Sequence, residues 1–249
     1  MRILAVMNQK GGVGKTTTAV NLAAALAERG RSVLLIDLDP QASATAWLGG
    51  SDDGKGLLEC LTEEKPLLPY ARPSATERVD LIPSGPELAR AERALAGDVG
   101  AIAVLRDLVR ALPAKRWSYV ILDTPPSLGS LSSAALVATR EVLIPVEASS
   151  MAVAGLASML ETIQRAGRLN PELKVAGILA CRVDQRTRIG REVPALLSAR
   201  FAELVTQAAI RESVRFREAW AHRAPITTFD PAGAGAEDYR ALALEIDGG

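Results

Sequence analysis

The feature that most constrains the fold of this chain is a glycine-rich loop, KGGVGKTT at residues 10–17, placed between a short apolar run and a helical pattern. In such a loop, successive backbone N–H groups surround a phosphate while the positive end of the following helix faces it. Gly11, Gly12 and Gly14 permit the close backbone approach. The loop therefore predicts a strand-loop-helix unit that binds a nucleotide.

The loop departs from the usual phosphate-loop pattern, G-x-x-x-x-G-K-[ST]. The Gly14-Lys15 pair calls for a glycine at position 9, but the sequence has Gln9 followed by a second lysine, Lys10. In the usual pattern, Lys15 reaches the terminal phosphates and Thr16 binds Mg²⁺. Because Lys15 already fills the phosphate role, Lys10 needs a separate explanation.

Three carboxylates follow predicted strands and complete a candidate phosphoryl-transfer site. Asp37 and Asp39 lie in LLIDLDPQ, and Asp123 lies in VILDTPPS. Open α/β sheets bind ligands at the carboxyl ends of their strands, where these residues are expected to meet. Carboxylates at such a site hold magnesium and orient water. A lone Asp after a strand more often closes an Asx-turn, but three together with the loop favour function.

Short apolar runs alternate with longer helical patterns, which indicates βαβ units and a mostly parallel sheet. We predict one domain over residues 1–249, with the segment 49–56 as its most loop-like part. The predicted strands are residues 3–8, 32–37, 79–84, 119–124, 141–146 and 174–182. The predicted helices are residues 16–29, 86–96, 101–112, 130–139, 153–168, 189–204 and 235–246.

Composition excludes few classes of partner, because 29 basic residues balance 29 acidic ones. Cys60 and Cys181 lie far apart without a C-x-x-C spacing, so we expect buried, reduced thiols rather than a disulfide or a zinc site. The N-terminal apolar run is too short for a signal peptide, and no window approaches about 18 uninterrupted apolar residues. We therefore expect a cytoplasmic protein.

Three motifs, in this order, resemble those of the ParA/MinD family of P-loop ATPases. KGGVGKTT (10–17), DLDPQ (37–41) and DTPPS (123–127) are similar to the family's deviant Walker A, switch I and switch II sequences. The resemblance covers essentially the whole chain. It implies an α/β fold with a doubly wound, mostly parallel sheet of the P-loop NTPase type, ATP and Mg²⁺ as ligands, and hydrolysis of ATP.

The resemblance also implies roles for individual residues. Lys15 would bind the β and γ phosphates, and Asp39 would orient the attacking water. Thr16 would bind Mg²⁺, while Asp37 and Asp123 would support its shell through water. The implied nucleotide-binding loop comprises Lys10, Gly11, Gly12, Val13, Gly14, Lys15, Thr16 and Thr17, with Thr17 at the α phosphate.

In this family the lysine that matches Lys10 reaches across an ATP-bound sandwich dimer to the phosphates of the other subunit. A lysine supplied by the partner would neutralise charge that develops during phosphoryl transfer, as an arginine finger does. The resemblance thus makes Lys10 a catalytic residue and makes homodimerisation a condition for hydrolysis.

The wider family includes three types of ATPase with different functions: a nitrogenase iron-protein-like reductase, a MinD-like membrane ATPase and a DNA-partition ATPase. A nitrogenase iron-protein-like reductase needs cluster cysteines near switch II, and neither Cys60 nor Cys181 lies there. A MinD-like membrane ATPase needs a basic amphipathic C-terminal helix, whereas AEDYRALALEIDGG has one arginine against four acids. We therefore expect no membrane partner and favour a DNA-partition ATPase.

The distribution of arginines supports binding to DNA. Between Arg182 and Arg223, nine arginines stand against five acids and no lysine. The run AIRESVRFREAWAHRAPI (209–226) resembles a partition-family segment and makes Arg215 the best candidate for contacting DNA. The full set of DNA candidates is Arg211, Arg215, Arg217 and Arg223.

The segment CRVDQRTRIGREV (181–193) resembles the region where small partition ATPases also bind the base, so Arg182 and Asp184 are adenine-pocket candidates. Because the phosphate-loop strand begins at residue 3, we expect the small type without an N-terminal helix-turn-helix domain, and hence DNA binding that is sequence-independent and salt-dependent. A ParB-like adaptor would stimulate hydrolysis during chromosome or plasmid partition. The same cycle applied to a protein cargo remains an alternative.

Overall fold

A computed structural model describes residues 1–149 and 152–248 of the chain. Its strands are β1 (Arg2–Val6), β2 (Val33–Asp37), β3 (Arg72–Pro73), β4 (Val79–Ile82), β5 (Tyr119–Asp123), β6 (Glu141–Glu147) and β7 (Lys174–Cys181). Its helices are α1 (Lys15–Glu28), α2 (Ser43–Trp47), α3 (Lys55–Glu63), α4 (Ala89–Ala94), α5 (Val99–Arg110), α6 (Ser130–Ala138), α7 (Ala152–Ala166), α8 (Arg188–Phe201), α9 (Arg215–Ala221), α10 (Ile226–Phe229) and α11 (Ala234–Gly248).

The strands form one seven-stranded sheet in the order β3-β4-β2-β5-β1-β6-β7. Every pairing is parallel except that of β3 with β4. Alternate strand residues pack into different cores: Leu34 and Ile36 face one cluster, whereas Val33 and Leu35 face the other. Helices therefore cover both faces, which confirms the predicted α/β, doubly wound fold of the P-loop NTPase type.

All six predicted strands are present, with ends that differ by a few residues. The prediction missed β3, because two residues carry no alternation pattern. It also missed α2, α3, α9 and α10, which have nine residues or fewer and so show little helical periodicity. The segment 49–56, predicted as the most loop-like part, is irregular up to Gly54, and α3 begins at Lys55.

The last helix, α11, lies against the first. Its apolar side chains Tyr239, Leu242, Ala243 and Ile246 are buried in the same core as α1. The Tyr239 hydroxyl also lies 3.3 Å from the Thr18 hydroxyl of α1, within hydrogen-bond distance. The apolar face of α11 is therefore used inside the protein. Among residues 1–149 and 152–248, no helix is long and apolar enough to cross a membrane.

Candidate nucleotide site

The register of the central strands brings the predicted site residues to one edge of the sheet. Asp37 at the end of β2 pairs with Asp123 at the end of β5, and Asp123 pairs with Val6 at the end of β1. The glycine-rich loop leaves β1 shortly after Val6 and enters α1 at Lys15. The loop and two of the three predicted carboxylates therefore meet where parallel strands end.

The loop backbone has the conformation that its glycines permit. Gly12 and Gly14 have φ values of 74° and 99°, in the left-handed region that other residues rarely adopt. The Lys15 side chain lies inside this loop, and its Nζ donates a hydrogen bond to the Lys10 carbonyl oxygen at 3.1 Å. Burial lowers the pKa of Lys15, although the nearby Asp123 and Asp39 carboxylates oppose the shift.

Asp123 is a buried carboxylate whose two oxygens have no hydrogen-bond partner among the described residues. Burial is the main reason that its pKa lies well above the usual value, and the Asp37 charge raises it further. The Lys15 charge and the Thr16 side chain act in the opposite direction. An unsatisfied carboxylate beside Thr16 is what a hydrated Mg²⁺ requires, so these residues fit the predicted metal.

Asp37 is also fully buried, but its oxygens already accept hydrogen bonds. Oδ2 accepts from the Thr45 amide at 2.8 Å and the Thr45 hydroxyl at 2.7 Å, and Oδ1 accepts from the Asp39 amide at 3.1 Å. Burial, which these bonds only partly offset, raises the pKa of Asp37 to about 6. Asp37 therefore connects the end of β2 to Asp39 and to α2, and its bonded oxygens leave it a less direct candidate for binding Mg²⁺ than Asp123.

Asp39 begins the turn after β2 and remains partly exposed. Its Oδ1 accepts a hydrogen bond from the Gln41 amide at 3.0 Å, and its carbonyl accepts one from the Ala42 amide at 2.8 Å. The carboxylate thus sits on a defined turn at the edge of the sheet, with an accessible side chain. This placement suits a group that orients water beside the phosphate loop.

Lys10 projects from the loop with about half of its side chain exposed, at 53%. Its Nζ lies 2.6 Å from Oε2 of Glu147, the last residue of β6. Sequence reasoning missed Glu147, although a charged residue at the end of an apolar strand beside the loop was the available signal. The pair holds Lys10 within its own chain and lowers the pKa of Glu147.

A cavity of about 270 Å³ adjoins the loop. It is lined by Gly12, Gly14, Thr17, Cys181, Arg182, Ile210, Arg211, Glu212, Ser213, Phe216, Arg217 and Tyr239. The structure therefore brings the adenine-pocket candidate Arg182 to the nucleotide site. Asp184, the other candidate, is not among the lining residues. Its carboxylate accepts hydrogen bonds from the Arg186 amide and guanidinium at 2.9–3.0 Å.

Sequence reasoning did not predict that Phe216 and Tyr239 line this cavity. Their rings meet edge-on with centroids 5.8 Å apart. Cys181, expected and found as a buried thiol, forms part of the same wall, and burial raises its pKa to about 12. The aromatic and sulfur surfaces give the cavity the apolar character that a nucleotide base needs.

The four arginines predicted to contact DNA lie in different surroundings. Arg211 and Arg217 line the nucleotide cavity, whereas Arg215 and Arg223 lie outside it on the surface. The guanidinium of Arg211 binds the Asp238 carboxylate, with its shortest contact at 2.7 Å. Arg211 and Arg217 lie near the glycine-rich loop because the segment after α8 runs beside the end of β7, where Ile210 bonds to Ala180 and Arg211 pairs with Val183. Their contact with DNA stays a prediction.

No cluster of three or more His, Cys, Asp or Glu side chains that could bind a metal occurs in the part of the chain that the structure describes. A Mg²⁺ site formed by Thr16, Asp37 and Asp123 beside the glycine-rich loop stays a prediction. It differs from a closed protein cage because phosphate oxygens and water complete a Mg²⁺ shell of this kind.

Comparison with known proteins agrees with this geometry. A family model described as "AAA domain" matches residues 1–175. The chain is 43% identical to the chromosome-partitioning ATPase Soj of Thermus thermophilus, over 99% of this chain and 95% of the relative. It is 38% identical to the sporulation initiation inhibitor protein Soj of Bacillus subtilis, over 98% of both chains.

A solved structure extends the comparison to ligands. The crystal structure of a cobyrinic acid a,c-diamide synthase from Mycobacterium smegmatis with bound ADP and magnesium superposes with a TM-score of 0.83 at 34% identity. The alignment covers 98% of this chain and 93% of that one. Its fold and its ligands match the expected nucleotide site.

Proposed function

Because the chain belongs to the ParA-like family of P-loop ATPases, we propose that it is a DNA-partition ATPase whose ATP-bound dimer binds duplex DNA without sequence specificity. The observation that carries the proposal is the strand register that joins Asp37, Asp123 and the glycine-rich loop at one edge. Hydrolysis of ATP would return the protein to a form that releases DNA. The whole chain, residues 1–249, would act as one ATPase domain.

The site residues divide the work of hydrolysis. Backbone N–H groups from Gly11 to Thr17 and the Lys15 ammonium bind the phosphates, with Thr17 nearest the α phosphate. Thr16, with Asp123 and Asp37 acting through water, would hold Mg²⁺. Bound Mg²⁺ supplies positive charge that stabilises the developing charge on the β and γ phosphates. Asp39 orients the attacking water.

Lys10 supports a requirement for dimerisation. Its Nζ is bound to Glu147 of the same chain, while Lys15 already occupies the loop interior. We therefore assign Lys10 to the phosphates of the partner subunit in an ATP-sandwich dimer. Reaching them requires the Lys10–Glu147 pair to open, which costs about 0.2–1 kcal/mol for an exposed ion pair.

The proposed DNA surface centres on Arg215 and Arg223, which lie outside the nucleotide cavity. Arg215 binds the Asp230 and Glu218 carboxylates at 3.0 Å and 2.6 Å, but it is 46% exposed, so phosphates can compete for it. Arg223 is exposed and has no carboxylate partner among the described residues. Further basic side chains on and before α8, Arg186, Arg188 and Arg191, would extend this surface.

We also propose a ParB-like adaptor that stimulates hydrolysis, and a cytoplasmic, nucleoid-associated location. The same ATPase cycle would move a chromosome, a plasmid or a protein cargo, and the adaptor would differ between them. The MinD-like alternative is not favoured, because α11 packs its apolar face against α1 and ends in acidic residues. On α11, Leu244 is exposed, but Tyr239, Leu242 and Ile246 are buried and Arg240 is the one basic residue, so the helix lacks the basic amphipathic face that binds a membrane surface.

The test uses an Asp39→Ala variant, which should bind ATP without hydrolysing it and accumulate as a dimer. Binding to random-sequence duplex DNA is measured with and without ATP and Mg²⁺ over a salt series, with anionic liposomes in parallel. The proposal expects DNA binding that requires ATP and weakens steeply with salt. Binding to liposomes without binding to DNA would instead favour the MinD-like alternative.

A further inference from the structure

An arginine without a carboxylate partner lies at the rim of the nucleotide cavity. Of the three arginines that line the cavity, Arg211 binds Asp238 and Glu237, and Arg182 binds Glu147 and Glu212. Arg217 forms no ion pair and no side-chain hydrogen bond with any residue in the described parts of the chain. Arg217 is therefore the lining arginine most available to a bound anion.

The position of Arg217 is fixed by its helix. Phe216, the preceding residue of α9, packs edge-on against the buried Tyr239, and Ala219 is buried in the same core. These contacts hold α9 over the cavity and leave Arg217 at its rim. Gly12, Gly14 and Thr17 of the glycine-rich loop line the same cavity, and Thr17 is the residue assigned above to the α phosphate.

From these observations we propose that Arg217 binds the nucleotide itself, through its ribose and α phosphate, and is not a DNA contact. This inference rests on the ATPase function but not on the DNA function. An unpaired guanidinium forms a strong, charge-assisted hydrogen bond with a phosphate oxygen. Arg211 and Arg182 would first have to leave a carboxylate to do the same.

The position predicts a particular pattern of affinities. Removing one charge-assisted hydrogen bond weakens binding about tenfold. The loss should be equal for ATP and ADP, because the ribose and α phosphate to which we assign Arg217 are common to both nucleotides. Arg217→Lys should keep part of the affinity, since it retains the charge but not the planar guanidinium.

The first experiment measures the affinity of the full-length protein for fluorescent ADP and for a non-hydrolysable ATP analogue. Arg217→Ala is compared with Arg168→Ala, a matched control that removes an exposed arginine outside the cavity and outside the proposed DNA surface. Arg217→Ala should bind both nucleotides about tenfold more weakly, and Arg168→Ala should bind them normally. Unchanged affinity in Arg217→Ala, or a loss confined to the ATP analogue, would overturn the inference.

The second experiment separates this inference from the DNA function. The same substitutions are made in the Asp39→Ala protein, and DNA binding is measured at saturating ATP. Arg217→Ala should then bind DNA as its parent does. Normal nucleotide affinity with weakened DNA binding would place Arg217 on the DNA surface and overturn the inference. If the parent itself binds nucleotide but not DNA, the DNA proposal fails while the first experiment still decides the role of Arg217.

Discussion

Asp123 combines complete burial with two oxygens that lack hydrogen-bond donors within the described residues. A carboxylate in this position is costly when ionised, and its raised pKa expresses that cost. The same features make it receptive to a hydrated cation. The role in Mg²⁺ binding that we propose for Asp123 would therefore lower the stability of the ligand-free protein.

We predict that Asp123→Asn stabilises the ligand-free protein at pH 7 by about 1–3 kcal/mol, because it removes a buried, unpaired charge of similar shape. The variant should also lose the Mg²⁺-dependent part of its ATP affinity. Thermal unfolding without ligand and nucleotide titrations with and without Mg²⁺ measure the two effects. A destabilised variant with normal Mg²⁺ dependence would contradict the assignment.

The effect should depend on pH in a defined direction. A carboxyl group with a raised pKa in the folded state binds its proton more tightly when folded, so its favourable contribution is present at low pH and is lost as pH rises through the folded pKa. The stability advantage of Asp123→Asn should therefore shrink as pH falls from 7 toward 5. Asp37→Asn serves as the contrast: it disturbs hydrogen bonds from Thr45 and Asp39 and should destabilise the protein.

Glu147 is predicted to limit dimerisation by holding Lys10 in its own chain. In the Asp39→Ala background, Glu147→Gln should tighten the ATP-dependent dimer about two- to fivefold, the range expected from the loss of an exposed ion pair. Analytical ultracentrifugation across protein concentrations measures the change. Glu212→Gln is the matched control, because it removes the other carboxylate bound to Arg182 without touching Lys10. Equal effects of both substitutions would contradict a specific role for Glu147.

At the scale of elements, the sequence predicted what depends on repetition or on a motif. Buried apolar strands and long helices show their periodicity directly, and parallel strands bring Asp37 and Asp123 together by register. Short elements depend on tertiary contacts, so the five-residue helix α2 was not predicted. The structure shows that α2 carries Thr45, whose hydroxyl donates a hydrogen bond to Asp37. These two residues are eight positions apart, and no local sequence pattern predicts their contact.

Helix α2 ties the segment that begins at Asp37 to the segment after the neighbouring strand β4 through hydrogen bonds of Thr45. The Thr45 hydroxyl donates to Asp37 at 2.7 Å and accepts from the Ser84 amide at 2.9 Å. We predict that Thr45→Val destabilises the protein by about 1–3 kcal/mol, because the buried Asp37 carboxylate loses one of its three hydrogen bonds and the buried Ser84 amide loses the Thr45 hydroxyl as its acceptor. It should also lower kcat for ATP hydrolysis more than it weakens ATP binding, since the turn that carries Asp39 follows Asp37.

Denaturant unfolding and steady-state ATPase assays test this element. Thr62→Val provides the control, because the Thr62 hydroxyl donates to the Leu58 carbonyl in α3 and lies outside the site. The control should change stability by less than Thr45→Val and leave kcat unaltered. A Thr45→Val protein with normal kcat would show that α2 does not support the position of Asp39.

At the scale of the whole molecule, charge composition alone did not predict which arginines lie at the nucleotide cavity. The sequence showed a cluster of arginines, but it did not show which of them line the nucleotide cavity and which lie outside it. That distinction depends on contacts between residues far apart in the chain, such as the ion pair of Arg211 with Asp238. The folded chain assigns Arg182, Arg211 and Arg217 to the nucleotide cavity and leaves Arg215 and Arg223 outside it. The proposed DNA surface therefore centres on Arg215 and Arg223 rather than on all four arginines predicted from the sequence.

We predict that Arg223→Glu in the Asp39→Ala protein weakens DNA binding about tenfold or more and leaves ATP-dependent dimerisation unchanged. A symmetric dimer loses one phosphate contact from each subunit, so the slope of log affinity against log salt should fall in magnitude by about 2. Arg168→Glu is the control, since Arg168 is exposed beside the start of β7, at the sheet edge opposite the nucleotide site. An equal effect of both reversals would indicate a general charge effect, whereas a loss confined to Arg223→Glu would locate duplex DNA on the side of the dimer where α9 ends.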